Sequence, residues 1–405
     1  MTPPGSGPMG LPILEDLPDP AGKVVLLRCD LNVPLRPGAG GEQQIADEFR
    51  IVKALPTAKW LIGKGATVRM CSHLGRPKGK VDLRFSMEPV RRRIADLAPG
   101  VEVMENLRFD PGEEANTPET VDALIAGCDL YVNDAFGVCH RNHASVVGPP
   151  TRLPSAAGRL VVREVEMLGK LLHDVSRPFV VILGGSKVGD KIGLLRSLLP
   201  RTDAILVGGG MCFTFLAALG HDVGDSLLDR DDIELCRELL DSGKRIDVPL
   251  DVRCLEPGGE LADAAGGPPG EGKGEVSVTG RTIGPGWRGF DIGPKTEELY
   301  AEEISGAGTI FWNGPMGVFE DRRFASGTET VGRAMAHCGG FTVIGGGDSA
   351  RAIRMLRLDE EIDHLSSGGG ASLQFLEDGR LPGLDALAAS LGTPRPEVAG
   401  PVSRA

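Results

Sequence analysis

The sequence predicts an α/β protein made of two parallel sheets, each covered by helices on both faces, with a helical connection between the halves. Three observations carry this. Short apolar runs recur in two series, at 24–27, 67–70, 101–104 and 130–132, then at 179–183, 204–207, 309–312 and 341–344. Amphipathic or alanine-rich helical stretches separate them, and strands alternating with helices build parallel sheets buried on both faces. Between the series, 160–175 has helical periodicity and contains no glycine/serine linker, so the join reads as a rigid helix with hinges at its ends.

Length and charge narrow the classes. At 405 residues the chain has room for two or three domains, each with its own core. A net charge of −12 argues against nonspecific binding to nucleic acid or an anionic membrane, and it makes any local basic cluster more telling. No apolar run approaches the ~18 residues of a membrane span. The opening MTPPGSGPMGLPILEDL lacks the basic start and apolar stretch of a signal peptide. A cytoplasmic enzyme with no nucleic-acid or membrane partner is expected. The cysteines at 29, 71, 128, 139, 212, 236, 254 and 338 stand singly, with no C-x-x-C pair, and read as buried, reduced thiols. Cys139, His140 and His143 lack the second ligand cluster that zinc would need.

In open parallel sheets, ligands bind beyond the carboxyl ends of the strands. The first series ends in Arg28-Cys29-Asp30-Leu31-Asn32, Ser72-His73-Leu74-Gly75-Arg76, Glu105-Asn106-Leu107-Arg108 and Asn133-Asp134-Ala135-Phe136-Gly137, the last followed by His140-Arg141. Arg50 lies between the first two. Arginine recurs at these ends, and its planar fork suits carboxylate and phosphate. A small, multiply anionic substrate fits such an edge. Asp30 and Asn32 have two readings, as shapers of the turn before Pro34 or as partners of a substrate hydroxyl. His73 reads equally as a general base or as an anion ligand.

The second series opens with Gly184-Gly185-Ser186-Lys187-Val188-Gly189-Asp190-Lys191 after the run 179–183, with Val188, Ile192, Leu195 and Leu199 following at helical spacing. This predicts a strand, a glycine turn and a helix whose first turn carries two lysines. Cations are unfavourable at that end of a helix, so the pair points to a polyphosphate ligand. The pattern is not a P-loop, because Asp190 and Ile192 break it, and no G-x-G-x-x-G follows a strand. The other strand ends are glycine-rich too: Gly208-Gly209-Gly210, Asn313-Gly314-Pro315-Met316-Gly317 and Gly345-Gly346-Gly347-Asp348. Missing side chains let a large ligand approach the backbone. Asp348 reads as an N-cap or as a magnesium ligand beside phosphates. Glu320 reads as a ribose ligand or as a solvated loop residue. The glycine- and proline-rich stretch 258–289 breaks the rhythm and predicts an exposed excursion. The final 392–405 reads as loosely structured.

One half is thus prepared for a small anion and the other for a nucleotide, and phosphoryl transfer is the natural reaction. The chain resembles phosphoglycerate kinases from about residue 24 to 387. The motifs are RCDLNVP (28–34), SHLGRPKG (72–79), ENLRF (105–109), YVNDAFGVCHRNHAS (131–145), LGGSKVGDKIG (183–193), VGGGMCFTFL (207–216), FDIGPKT (290–296), WNGPMGVFE (312–320), IGGGDSA (344–350) and SSGGGAS (366–372). VNDAFG with HR close behind, and WNGPMGVFE, are the most specific.

The resemblance implies two doubly wound parallel-sheet (Rossmann-like) domains joined by a hinge helix: 1–170 with the returning tail 388–405 for 3-phosphoglycerate, and 171–387 for the nucleotide. It implies reversible transfer between 1,3-bisphosphoglycerate with ADP and 3-phosphoglycerate with ATP, with Mg²⁺, as in glycolysis, gluconeogenesis and carbon fixation. The implied substrate residues are Asp30, Asn32, Arg50, His73, Leu74, Gly75, Arg76, Arg108 and Arg141. The implied nucleotide residues are Lys191, Gly208, Gly209, Gly210, Gly289, Asn313, Glu320, Gly346, Gly347, Asp348 and Ser349, with Asp348 nearest the metal. Arg50, Lys187 and Lys191 are the implied catalytic cations, Lys187 accompanying the moving phosphoryl group.

The acceptor that the resemblance implies is a carboxylate, so the implied chemistry needs neither a general base nor a covalent intermediate. Closure about the hinge would expel water before transfer. Departures from the family pattern are modest. Ser349 stands where threonine is usual, Val138-Cys139 replaces a small pair, 38–44 and 258–286 are long, and Arg288 lies where an apolar residue is common. A monomer is expected. The alternatives are a related kinase for another small carboxylate and a catalytically silent nucleotide-binding member.

Overall fold

The computed structural model describes residues 6–38, 42–262 and 269–390. It divides into two compact units, Met1–Glu166 with Arg380–Ala405, and Met167–Gly379. The division falls between Glu166 and Met167, inside the connecting helix Arg159–His173 and four residues before the expected boundary at residue 170. The return to the first unit begins at Arg380 rather than at 388, and burial explains this. Leu381, Leu384 and Leu387 are buried, and Gly383 donates its N–H to the Cys139 carbonyl at 2.8 Å. A Cβ at Gly383 would stand 2.8 Å from Val146 Cγ1. Helix Pro382–Ala389 is therefore seated in the first unit, while 392–405 lies outside the described residues.

The first unit holds a parallel sheet in the order Glu102–Val103, Thr67–Cys71, Val24–Cys29, Leu130–Asp134, Ser155–Ala157. Its central strands form because they are apolar on both faces, as a doubly covered sheet requires; every residue of Leu130–Asp134 is buried. Helix Phe49–Gly63 covers the sheet with Ile51, Ala54, Leu55, Ala58 and Leu61, one face at helical spacing. The predicted strand at 101–104 shrinks to Glu102–Val103, an edge with a single neighbour. The long segment at 38–44 is flanked by a hairpin of Leu35–Pro37 with Gln43–Ile45, and residues 39–41 lie outside the described set.

The second unit holds a parallel sheet in the order Ile246–Asp247, Ala204–Val207, Phe179–Leu183, Thr309–Asn313, Phe341–Gly345, His364–Leu365. Beside it is a three-stranded antiparallel sheet, Val276–Thr279, Val252–Leu255, Arg288–Ile292, which the sequence did not announce. The stretch 258–289 is thus more than an exposed excursion. It contains an alternating strand, Val276–Thr279, hidden among glycines and prolines, and residues 263–268 of it lie outside the described set. Among the described residues no helix is long and apolar enough to cross a membrane.

Both parallel sheets are doubly wound. Each begins in its middle and builds first to one side, then to the other. The reversal falls between Val24–Cys29 and Leu130–Asp134 in the first unit, and between Phe179–Leu183 and Thr309–Asn313 in the second. At such a reversal the loops leave in opposite directions and open a crevice at the carboxyl edge.

Candidate active site

In the first unit, Asp30 and Arg50 form an ion pair. Burial pushes the Asp30 carboxyl up, but Arg50, with Arg28 beyond it, more than offsets this and holds it below its usual value. Asn32 accepts the N–H of Gly75 at 2.8 Å, and the Gly75 carbonyl accepts from Arg108 Nη1 at 2.9 Å. Asn32, Gly75 and Arg108 therefore form one chain of contacts across three strand ends. The turn shaping expected of Asp30 is also present, since its Oδ1 accepts the Asn32 N–H at 3.2 Å.

Burial holds the His73 imidazole down at about 3, and the charges of Arg28, Arg108 and Arg50 oppose its protonation while Asp30 favours it. His140 is likewise held down at about 4 by burial, Arg141 and His143, and its Nδ1 is buried without a protein hydrogen-bond partner. Two neutral histidines inside a field of arginines make an edge that awaits negative charge. Arg76 and Arg141 are exposed on this edge. Leu74 is buried, and its backbone is fixed by Asn106, which accepts from its N–H at 3.2 Å and donates to its carbonyl at 2.7 Å.

Arg28 differs from the other strand-end arginines. It is fully buried, its Nε donates to Ser145 Oγ at 2.8 Å, and it also reaches the Cys29 carbonyl. Ser145 in turn gives its hydroxyl and N–H to the buried Glu113 at 2.6 and 2.9 Å. Arg28 is scaffolding beneath the edge.

In the second unit the helix after the glycine turn starts later than predicted. Gly189–Lys191 is a 3₁₀ turn and the α-helix is Ile192–Leu198. Lys187 precedes both and is exposed, whereas Lys191 is buried. The two lysines therefore occupy different environments. Burial pushes the Lys191 ammonium down to about 8, against the pull of Asp190 and Asp348. Its Nζ donates to Asn313 Oδ1, at the end of the neighbouring strand across the sheet's reversal.

A cleft of about 280 Å³ opens at this edge, lined by Gly185, Ser186, Gly209, Gly210, Leu227, Gly289, Phe290, Pro315, Gly317, Val318, Phe319, Glu320 and Asp348. The sequence had singled out Gly209, Gly210, Gly289, Glu320 and Asp348 from this wall, and Gly185 and Gly317 as parts of glycine-rich strand ends. Ser186, Phe290, Pro315, Val318 and Phe319 sat inside quoted motifs without being chosen as site residues, and Leu227 carried no sequence signal. Gly208, Asn313, Gly346, Gly347, Ser349 and Lys191 are not among the lining residues. Three of these contact residues of the neighbouring loops instead. A Cβ at Gly208 would lie 2.5 Å from Met316 Sδ. Ser349 is fully buried and accepts the Gly314 N–H at 2.7 Å. Asn313 is buried and holds Lys191. Gly347 is exposed at the start of helix Gly347–Met355.

The glycines serve the chain's own crossings. A Cβ at Gly184 would lie 2.1 Å from the Pro315 carbonyl oxygen, and one at Gly314, where φ is +92, would lie 2.3 Å from the Gly184 oxygen. The two loops at the reversal can pass only because neither carries a side chain. Arg288 does not intrude on Gly289. Its Nη2 donates to the Gly259 carbonyl, and its guanidinium lies 5.4 Å over the Phe290 ring. Glu320 is met by Arg351 at 3.3 Å, so it is not simply a solvated loop residue.

The first unit carries an arginine edge and the second a glycine-walled cleft, each at a doubly wound reversal. The sequence profile described as phosphoglycerate kinase matches residues 14–104 and 94–379. The phosphoglycerate kinase of Frankia alni is 48% identical over 401 residues, covering 91% of this chain and 97% of that protein. That of Salinispora arenicola is 48% identical, covering 94% of this chain and 100% of that protein. Among solved structures, phosphoglycerate kinase from Coxiella burnetii superposes with a TM-score of 0.81 at 33% identity, covering 94% of this chain and 99% of that one. The chain belongs to the phosphoglycerate kinase family.

Proposed function

We propose that this chain performs its family's reaction, reversible phosphoryl transfer between ATP and 3-phosphoglycerate, with 3-phosphoglycerate on the arginine edge of the first unit and the nucleotide in the glycine-walled cleft of the second. The observation that carries this placement is Lys191, a lysine buried beside Gly185 at the glycine-rich strand edge. A buried ammonium with one neutral partner is half-satisfied, and nucleotide phosphates supply the missing charge. Arg50, Arg76, Arg108 and Arg141 offer guanidinium forks to the carboxylate and phosphate of the acceptor. His73 and His140, held neutral, act as hydrogen-bonding ligands in this reading and not as bases.

Magnesium fits the donor set. No cluster of three carboxylate, histidine or cysteine side chains suited to a metal occurs among the described residues, and Asp348 stands exposed on the cleft wall. One carboxylate plus nucleotide phosphates is an ordinary Mg²⁺ environment, and Mg²⁺ bound there would neutralise phosphate charge. The chain's own part is positioning. Lys191 fixes the nucleotide phosphates, exposed Lys187 is free to follow the moving phosphoryl group, and Arg50, held by Asp30, orients the attacking carboxylate. The acceptor oxygen is already ionised, so no proton need move. The proposal includes closure of the units around their ligands before transfer, a cytoplasmic location and a monomeric state.

A coupled assay with 3-phosphoglycerate and Mg-ATP should show turnover. Folded protein with no turnover on 3-phosphoglycerate, but activity on another small carboxylate in a substrate panel, would replace the acceptor in this reading. Folded protein silent on the whole panel would leave only a nucleotide-binding role.

A further inference from the structure

Asp321, the residue after Glu320, is fully buried, and its carboxylate is saturated. Oδ1 accepts from the N–H and Nε of Arg323 at 3.1 and 3.0 Å. Oδ2 accepts from Arg323 Nη2 at 2.7 Å, from the Ala262 N–H at 2.9 Å and from the Gly272 N–H at 3.3 Å. Arg323 spends its remaining donors on the Gly274 and Glu260 carbonyls, at 3.0 and 2.8 Å. The backbone adds two bonds. Gly270 N–H reaches the Glu320 carbonyl at 3.0 Å, and Arg322 N–H reaches the Gly270 carbonyl at 2.9 Å. Gly272 fits here only as glycine, since a Cβ would stand 2.0 Å from the Glu260 oxygen and 2.4 Å from Arg323 Nη2.

The bonds to Glu260, Ala262, Gly270, Gly272 and Gly274 tie the described parts of the excursion to the segment Glu320–Arg323, and the Asp321–Arg323 pair holds that segment together. On its other side that segment is the cleft wall: Val318, Phe319 and Glu320 line it, facing Phe290, whose carbonyl accepts the Val318 N–H at 3.0 Å. A buried carboxylate is tolerated only with a full set of charged and backbone donors. Here burial pushes Asp321 up, but Arg323 and the Ala262 N–H overcome it and hold the carboxyl at about 2. The link is therefore charged at every physiological pH.

We propose that Asp321 and Arg323 are positioning residues for nucleotide binding: together with the excursion they latch the Val318–Glu320 wall in place, without touching the ligand. The inference rests on the nucleotide occupying this cleft. A latch of this kind acts on one substrate alone. Losing it lets the wall relax, and a wall displaced by an ångström is enough to cost affinity.

The test is nucleotide binding and steady-state kinetics of the full chain with Arg323→Ala and Arg323→Lys, beside the charge-free double variant Asp321→Asn with Arg323→Met. The Kd for ADP and the KM for Mg-ATP should rise about tenfold in Arg323→Ala, while the KM for 3-phosphoglycerate and kcat at saturating nucleotide stay within about twofold. Arg323→Lys keeps the ion pair but not the fork, and should recover part of the loss. The double variant leaves no unpaired buried charge, so it should fold and show the same KM split. Unchanged ADP affinity in a folded variant, equal loss in both KM values, or failure of every variant to fold would overturn the latch. A wild-type chain that turns over and binds ADP while the variants match it sinks the latch alone. A wild-type chain that does not bind ADP sinks the placement of the nucleotide and the latch with it.

Discussion

Asn313 grips the ammonium of Lys191 through its side-chain oxygen, joining the first helical turn after one strand to the end of the next. The two strands flank the reversal of the sheet, Asn313 pairing with Leu183 in register. A Cβ placed on Gly185 would come within 4.0 Å of Lys191 Nζ, so the charge lies directly beneath the glycine turn that lines the cleft.

With the nucleotide phosphates at Lys191, as proposed, binding is predicted to depend on pH. Burial sets the free Lys191 at about 8, below the ordinary lysine value of 10.5. Bound phosphates favour the charged form and raise it again. ADP affinity should be flat below about pH 8 and fall by up to about tenfold per pH unit above it. Calorimetry at pH 8.5 in buffers of different ionisation enthalpy should show proton uptake on binding. Lys191→Arg stays charged throughout and should remove both effects. A wild-type profile flat to pH 9.5 would mean that Lys191 does not meet the phosphates.

Arg28 gives a second, contrasting prediction. It sits at the same kind of strand end as Arg108, yet it is sealed beneath the edge with Ser145 and Glu113. Arg28→Met removes the cation and leaves the Ser145–Glu113 pair buried beside an apolar chain. The cost should be roughly 3 kcal/mol, read as an earlier urea midpoint, with the remaining folded protein keeping its KM for Mg-ATP. A midpoint unchanged from wild type would show that the network does not depend on Arg28.

Those two residues also show what could be read from the sequence. Strand positions, the paired series and the basic edge were legible, because apolar runs and charges are local facts. The roles of the glycines were only half legible. Gly184 and Gly314 were read as room for a ligand, but each is required by the other's loop at 2.1–2.6 Å, a pairing between residues 130 apart in sequence that no local pattern reveals. Arg28 looked like its neighbours because burial is decided by what packs above a strand end. Asp321 and Arg323 were invisible for a related reason. Their partners lie in a glycine-rich stretch whose composition signals a loop, whatever that loop is fastened to.

Lys187 carries the sharpest remaining prediction. It shares the turn Gly184–Lys191 with Lys191, but it is exposed and lies before the 3₁₀ turn that buries its neighbour. In the proposed placement, where Lys191 holds the nucleotide phosphates, a flexible, hydrated ammonium gains little by binding the ground-state nucleotide. It gains most when the phosphoryl group leaves the nucleotide and its charge spreads over the equatorial oxygens. Lys187→Ala should therefore lower kcat by about 100- to 1000-fold, a loss typical of removing one charge-stabilising donor, while the Kd for ADP changes by less than about threefold. Lys191→Ala should weaken ADP binding as well as turnover. Equal losses of affinity in the two variants would show that both lysines serve the bound nucleotide and that neither is reserved for transfer.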